Sequence, residues 1–207
     1  MRYITTPALR AATAAALLAT AVVAPHAASA EEKDPSPGLW FDAGLGYGHI
    51  STDESAPADS SGGGFSTDVQ VGARLGRRWV VGLGLAVVGI HFDYESNNSY
   101  STASGQGISN LFCVAQFEPK SDHGWWLGVT AGTADYTNFR LRTNWGAAQT
   151  GNGAGSSARV GYDWHLRGRN HIAASLSYAW GDISLDAPFT GGFNYSMVAL
   201  EGHYTFR

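Results

Sequence analysis

The stretch YSMVALEGHYTFR, residues 195–207, decides the fold. Val198, Leu200, Tyr204 and Phe206 share one parity, with Gly202 among them. Met197, Ala199, Glu201, His203 and Thr205 share the other. Successive side chains of a strand point to opposite faces, so this segment has one oily face and one mostly wet face. Which face looks at what is the question the rest of the chain answers.

The same period of two recurs upstream. A first strand is read near 39–50, with Leu39, Phe41, Ala43, Leu45 and Tyr47 on one parity and Asp42 with glycines on the other. A second, near 64–75, sets Phe65, Val69, Val71, Ala73 and Leu75 against Asp68, Gln70 and Arg74. The third, near 79–92, is the least clean, because Val80 and Val88 fall on the parity of Gly82, Gly84 and Ala86. The fourth, near 106–117, places Leu111, Cys113, Ala115 and Phe117 opposite Asn110 and Gln116. The fifth and sixth, near 125–136 and 154–166, carry Trp125, Leu127 and Val129, then Val160, Tyr162 and Trp164, against Gly, Ser, Arg159, Asp163 and His165. The seventh, near 171–182, pairs Ile172, Leu176, Tyr178 and Trp180 with Ser175, Ser177 and Gly181. The quoted segment is the eighth.

Short links at 76–78, 118–124 and 167–170 alternate with longer polar segments near 51–63, 93–105, 137–153 and 183–193. Those longer segments are rich in Ser, Asn, Gly, Asp and Thr, the composition of exposed loops. Three short turns and four long loops predict an all-β, eight-stranded antiparallel up-and-down barrel with both ends on the short-turn side. Short periplasmic turns and longer outer loops are the asymmetry of transmembrane barrels. Aromatics cluster at both ends of the strands. Trp40, Trp79, Phe117, Trp125, Trp126, Trp164, Tyr204 and Phe206 lie near the turns; Tyr47, Phe65, Phe92, Tyr136, Tyr178, Trp180 and Tyr195 lie near the loops. Two aromatic bands about an aliphatic middle predict membrane-interface girdles. The oily parity then meets lipid, and the first and eighth strands must pair so that no backbone group is left unsatisfied in hydrocarbon.

The wet parity becomes the lumen: Asp42, Asp68, Gln70, Arg74, Asn110, Gln116, Arg159, Asp163, His165, Glu201 and His203. Eight strands enclose a space that side chains fill, so a polar plug is expected rather than an open pore.

The start of the chain reads as a secretory signal peptide, residues 1–30. Arg2 and Arg10 precede an apolar core, and Ala28-Ser29-Ala30 forms the cleavage pattern. The barrel domain is then 31–207. Without Arg2 and Arg10 it holds 11 basic against 17 acidic residues, which argues against nucleic acid as a partner. Cys113 is the single cysteine, so no internal disulfide can form.

With these features, FDAGLGYGHI, VQVGARLGRRWVVGLGLAV and YSMVALEGHYTF together resemble the small outer-membrane β-barrel proteins of Gram-negative bacteria. That group includes the OmpX/Ail-like, opacity-like and OmpA transmembrane-domain-like barrels. The resemblance covers the whole barrel domain. It implies residence in the outer membrane, contact with outer-membrane lipid and lipopolysaccharide, delivery by the barrel-assembly machinery, a monomeric state, and a structural or surface-interaction role carried by the outer loops. In such families an aromatic terminal residue aids assembly; here Arg207 follows Phe206.

Particular residues raise alternatives. Barrel-type lipid A deacylases carry His-x-Ser-Asn late in the chain, and the comparable place reads Ser177-Tyr178-Ala179-Trp180. No catalytic residue is therefore assigned. His165 and His203, with Asp163 and Glu201 nearby, are metal-ligating types, but hydrogen-bonded lumen filler is the expected role. His49 and His91 lie at the opposite ends of their strands. No metal or other cofactor is expected. Gly38-Leu39-Trp40 resembles the G-x-W of lipocalins and raises a soluble barrel with an apolar interior. A narrow small-solute conduit is the remaining alternative. Arg77, Arg78, Arg167 and Arg169 read as solvated turn charges. Asp53, Glu54, Asp59, Glu95, Asp182 and Asp186, with Arg140 and Arg142, supply the charge of the outer loops.

Overall fold

A computed structural model describes residues 38–53, 61–97, 100–119, 124–142, 149–167 and 169–207; of 90–97, 100–104, 139–142 and 167 it describes the backbone only. The expected leader at 1–30, Glu54 and Asp59 lie outside the described residues, as do the side chains of His91, Phe92, Glu95, Arg140, Arg142 and Arg167.

Eight strands form one closed antiparallel barrel: β1 (Leu39–Thr52), β2 (Gly62–Leu75), β3 (Trp79–Asn97), β4 (Tyr100–Phe117), β5 (Gly124–Arg142), β6 (Gln149–Arg167), β7 (Asn170–Leu185) and β8 (Gly192–Phe206). Each strand pairs with its sequence neighbours. β1 closes on β8 from Phe41↔Phe206 to Thr52↔Tyr195. The quoted segment thus stays paired on both sides through Phe206, because β1 takes up its second row of hydrogen bonds. At the β2–β3 turn Gly76 has φ 64°, a left-handed conformation that favours glycine.

The strands are longer than the sequence indicates, and apart from one residue at the turn ends of β5, β6 and β7 the extra length is on the loop side. β3 and β4 continue to Asn97 and Tyr100, leaving 98–99 between them where a segment near 93–105 was expected as loop. The cause is local. Ser, Thr, Asn and Gly in these segments break hydrophobic alternation without preventing antiparallel pairing, as Asn138↔Gln149 through Tyr136↔Gly151 show. A crossing needs only about 9–11 residues, so the barrel wall extends beyond that length on the loop side.

Facing is as alternation predicts over most of the wall. All eight strands point large apolar side chains outward, among them Leu45, Val69, Leu83, Leu111, Leu127 and Leu200. Between the aromatic bands this outer belt holds no Asp, Glu, Lys or Arg among the described residues; Asp135 and Asp182, which face outward, lie toward the loops. Outward-pointing Trp125 packs edge-on against Tyr162, and Tyr178 stacks with Trp180. Four aromatics assigned to the bands instead point inward: Trp40, Trp126, Tyr136 and Tyr195 are all buried. Their positions along the strands fit a girdle, but their parity is that of the lumen.

Packing inside the barrel divides by depth. Toward the loops the lumen is apolar: Ile50, Val88, Ile108, Tyr136, Ile183 and Phe193 belong to one buried cluster. Val88, which blurred the third strand's alternation, is part of it. Val80 joins Trp40, Ala86, Phe112 and Val114 in a second cluster on the β1, β3 and β4 wall. The uniformly polar plug expected from the sequence is therefore confined to the turn side and middle of the lumen. Its apolar complement comes from Val, Ile and aromatic residues that share the lumen parity.

Candidate functional site

The chemically richest region is the polar network in the lower lumen. It consists of two charge clusters placed by strand register.

The inner cluster centres on Gly44. This residue pairs with Asp68 on β2 and with His203 on β8, so the three form one row across the wall. The missing side chain lets its neighbours converge: a Cβ on Gly44 would lie 2.1 Å from Asp68 Oδ1 and 2.8 Å from the His203 ring. The adjoining row is Gln70–Asp42–Thr205. Thr205 Oγ1 donates to Asp42 Oδ2 at 2.6 Å, and His203 Nδ1 lies 2.8 Å from Asp42 Oδ1. On the other side of the ring, His203 Nε2 is 2.7 Å from Ser175 Oγ. Arg159, from β6 across the lumen, donates to Asp68 Oδ2 at 2.6 Å, and Gln70 donates to the same oxygen. Ser66 donates to Glu201. The Arg159 guanidinium also sits 5.6 Å from the Phe112 ring centre, where a cation is attracted to the aromatic face.

The second cluster closes the turn end. Arg74 donates to Glu118 Oε2 at 2.6 Å, and Arg207 donates to the same carboxylate at 2.8 Å. Gln116 donates to Glu118 Oε1 at 2.9 Å. Arg207 also pairs with Asp163, whose other oxygen lies 3.1 Å from His171 Nδ1. The terminal residue, which departs from the ending expected of the resembling families, thus turns its guanidinium into the lumen. Its backbone is held by Arg169, whose carbonyl accepts the Arg207 N–H at 3.0 Å.

The sequence-derived lumen residues Asp42, Asp68, Gln70, Arg74, Gln116, Arg159, Asp163, Glu201 and His203 are all buried. Asn110 also faces inward and accepts the Tyr195 hydroxyl at 3.1 Å. His165 differs from these in burial alone: it is exposed at the turn end, its ring against that of His171. It pairs in register with buried His171, and the register shift to Arg167 comes after it, so His165 keeps the lumen parity at the open end of β6, with β7 between it and β8. His165 and His203 are accordingly not brought together. Asp163 serves His171 and Arg207 instead, while Glu201 lies 3.9 Å from His203 Nε2. His49 is exposed on the outer face. Closing β1 on β8 brings Asp42 to His203, and that pairing register is absent from any local motif.

Asp42, His203 and Ser175 stand in the order of an acid–imidazole–hydroxyl relay. Nucleophilic use also requires room for a substrate at the hydroxyl. Ser175 is buried in the wall, and the hollow lined by Asp42, Gln70, Trp126 and Arg159 measures about 10 Å³, the space of one water. In this setting the hydrogen bonds orient the imidazole and satisfy buried polar atoms.

No family model matches the chain, and no curated protein matches it in sequence. Solved structures do match. The chain is similar to Ail, the attachment invasion locus protein of Yersinia pestis, solved with the heparin analogue sucrose octasulfate, at 14% identity and TM-score 0.51 over 81% of this chain and 99% of that one. It is similar to Neisserial surface protein A at 12% identity and TM-score 0.52, over 84% of this chain and 99% of that one. The fold is that of the small eight-stranded outer-membrane barrels.

Proposed function

We propose that the chain is an integral outer-membrane protein with a structural or surface-interaction role, presented by its loop-side rim and anchored by a filled barrel. The observation that carries this reading is the inversion of a soluble protein's plan: Leu45 and Leu200 are 65% exposed on the outer wall, whereas Asp68 and Asp163 are almost fully buried inside it. Lipid satisfies that outer wall and water does not. A lipocalin-like binder requires the reverse arrangement. The apolar cluster around Ile50, Tyr136 and Phe193 opposes the conduit reading, because it occupies the lumen beneath the loops.

The outer rim favours some partners over others. Asp53, Glu54, Asp59, Asp93, Glu95, Asp182 and Asp186 outnumber Arg140 and Arg142 in the loop-side segments. The heparin analogue in the Ail structure is a sulfated polyanion. An acidic rim repels such a ligand and suits cationic surfaces or groups bridged by divalent cations.

Membrane fractionation followed by gel mobility before and after boiling tests the reading. The protein is expected in the outer membrane, with a mobility shift on heating. Recovery as a soluble periplasmic protein overturns it. Large, stable single-channel openings in planar bilayers overturn the filled lumen, and acyl loss from labelled lipid A overturns the non-enzymatic role.

A further inference from the structure

The inner lumen cluster is short of positive charge, and we propose that it binds one first-row divalent metal ion, such as zinc, through Asp42, Asp68 and His203.

Three observations converge on this site. The first is geometry. One carboxylate oxygen from each Asp and a ring nitrogen of His203 all lie within 4.8 Å of one another. His203 Nδ1 is 2.8 Å from Asp42 Oδ1 and 3.7 Å from Asp68 Oδ1. A tetrahedral ion bonded to nitrogen and oxygen at about 2.0–2.2 Å separates its ligand atoms by roughly 3.4 Å. The two observed distances bracket that value, so small side-chain rotations seat the ion.

The second is a buried carboxylate oxygen that lacks a hydrogen-bond donor. Asp68 is fully buried, and its Oδ2 takes both Arg159 and Gln70. Its Oδ1 has no hydrogen-bond partner, and it points to the Gly44 row that faces His203. A buried carboxylate oxygen without a donor is costly. A metal ion supplies the missing positive partner.

The third is charge balance. The turn-end cluster sets Arg74 and Arg207 against Glu118 and Asp163 and is neutral. The inner cluster sets Asp42, Asp68 and Glu201 against Arg159. With neutral His203 it carries two uncompensated negative charges, and a protonated imidazole removes only one. A divalent ion brings the sum to zero, the condition that a low-dielectric lumen demands. One imidazole and two carboxylates suit zinc, cobalt or manganese better than the all-oxygen set of calcium. The ion takes the place of the Nδ1 proton that His203 now shares with Asp42 Oδ1, and Ser175 Oγ, 2.7 Å from Nε2, then accepts the N–H on the far side of the ring, the usual task of a group behind a ligating histidine.

The packed lumen restricts entry, so the test loads the ion during folding. Purified protein is refolded into detergent micelles with Co²⁺, passed over chelating resin, and examined for bound cobalt and visible absorption. One Co²⁺ per folded chain is expected, displaced when refolding includes Zn²⁺. Asp68→Asn and His203→Gln are expected to lose it, and Ser175→Ala to bind roughly 10–100-fold more weakly. His49→Ala and Cys113→Ser, both on the outer wall, are expected to retain it. Heat-modifiable gel mobility reports whether each variant folds. X-ray absorption on the cobalt-loaded wild-type protein needs no variant: one imidazole with oxygen ligands and no sulfur is expected. Failure of the wild-type protein to retain cobalt overturns the proposal. So does retention in folded Asp68→Asn or His203→Gln, or a shell containing sulfur or more than one imidazole.

Discussion

On the turn side of the lumen, Arg159 reaches across to Asp68, while Arg74 and Arg207 converge on Glu118. On the loop side, Ile50, Val88, Ile108 and Ile183 pack together with the aromatic rings of Tyr136 and Phe193, which meet edge to face. Both halves fill the same cylinder. They differ in how tightly each residue depends on its partners. An apolar half loses stability in proportion to the volume removed. An ionic half fails when one charge loses its counterpart, because the remaining charge stays buried. The apolar half also shields the ionic half from the loop side. Charges beneath it sit away from bulk water, where salt screens them little.

The largest effect is therefore expected inside the ionic half. Arg159→Met keeps the length of the side chain and leaves Asp68 beside Asp42 and Glu201 with no guanidinium. A loss of about 3–5 kcal/mol is expected for breaking a buried pair from one side. Urea unfolding of the barrel in lipid vesicles measures it. A change below about 1 kcal/mol would mean that water reaches Asp68, and the contrast between the halves would fail.

Ile183→Ala tests the apolar half. Ile183 is 1% exposed and contacts the cluster from β7. The expected loss is about 2–5 kcal/mol, set by how far Phe193 and Met197 collapse into the gap. The distinguishing feature is graded response. Ile183→Val is expected to cost about 0.5–1.5 kcal/mol, whereas no such intermediate exists for Arg159, whose charge is either present or absent.

The ionic half of this contrast was legible in the sequence and the apolar half was not, for physical reasons. Alternation identified the lumen face of Asp68, Arg159 and His203 because parity is local to a strand. The two aromatic bands were drawn from position along the strand. That placed Trp40, Trp126, Tyr136 and Tyr195 at the correct depth but on the wrong side of the wall. Trp126 lies inside because Gly161 opposite it leaves a slot; a Cβ there would come within 2.3 Å of the indole. Such a slot depends on the pairing of β5 with β6. His165 keeps its parity opposite His171 but is exposed, because parity gives the face and not the depth at which the barrel opens. The meeting of Asp42, Asp68, His203 and Ser175 requires the registers of β1, β2, β7 and β8 together, and neighbouring residues do not encode those registers.

A third region, the outer wall, inverts the comparison. Leu85 is 50% exposed and is flanked across the sheet by outward-facing Val69 and Leu111. Leu85→Arg is expected to cost about 2–4 kcal/mol in a bilayer. The same substitution assayed in detergent micelles is expected to cost less, because a micelle deforms to hydrate the guanidinium. Equal losses in both media would indicate that Leu85 packs against protein instead of lipid.

The smallest effect belongs to the rim. Asp186 accepts hydrogen bonds from Thr150 Oγ1 at 2.9 Å and from Asn152 Nδ2 at 3.2 Å, all at exposed positions. These bonds connect the start of β6 to the segment after β7, as does the Asp186 N–H donating to the Thr150 carbonyl at 2.9 Å. Asp186→Asn keeps an acceptor of the same shape and removes the charge. Water competes for every one of these groups, and the backbone bond survives the change. A loss of no more than about 1 kcal/mol is expected for an exposed interaction, by the same urea titration. If the variant instead loses as much as Arg159→Met, the rim is held as rigidly as the lumen. Stability would then depend on the loop-side pairing of β6 with β7, and not on the depth at which a charge is buried.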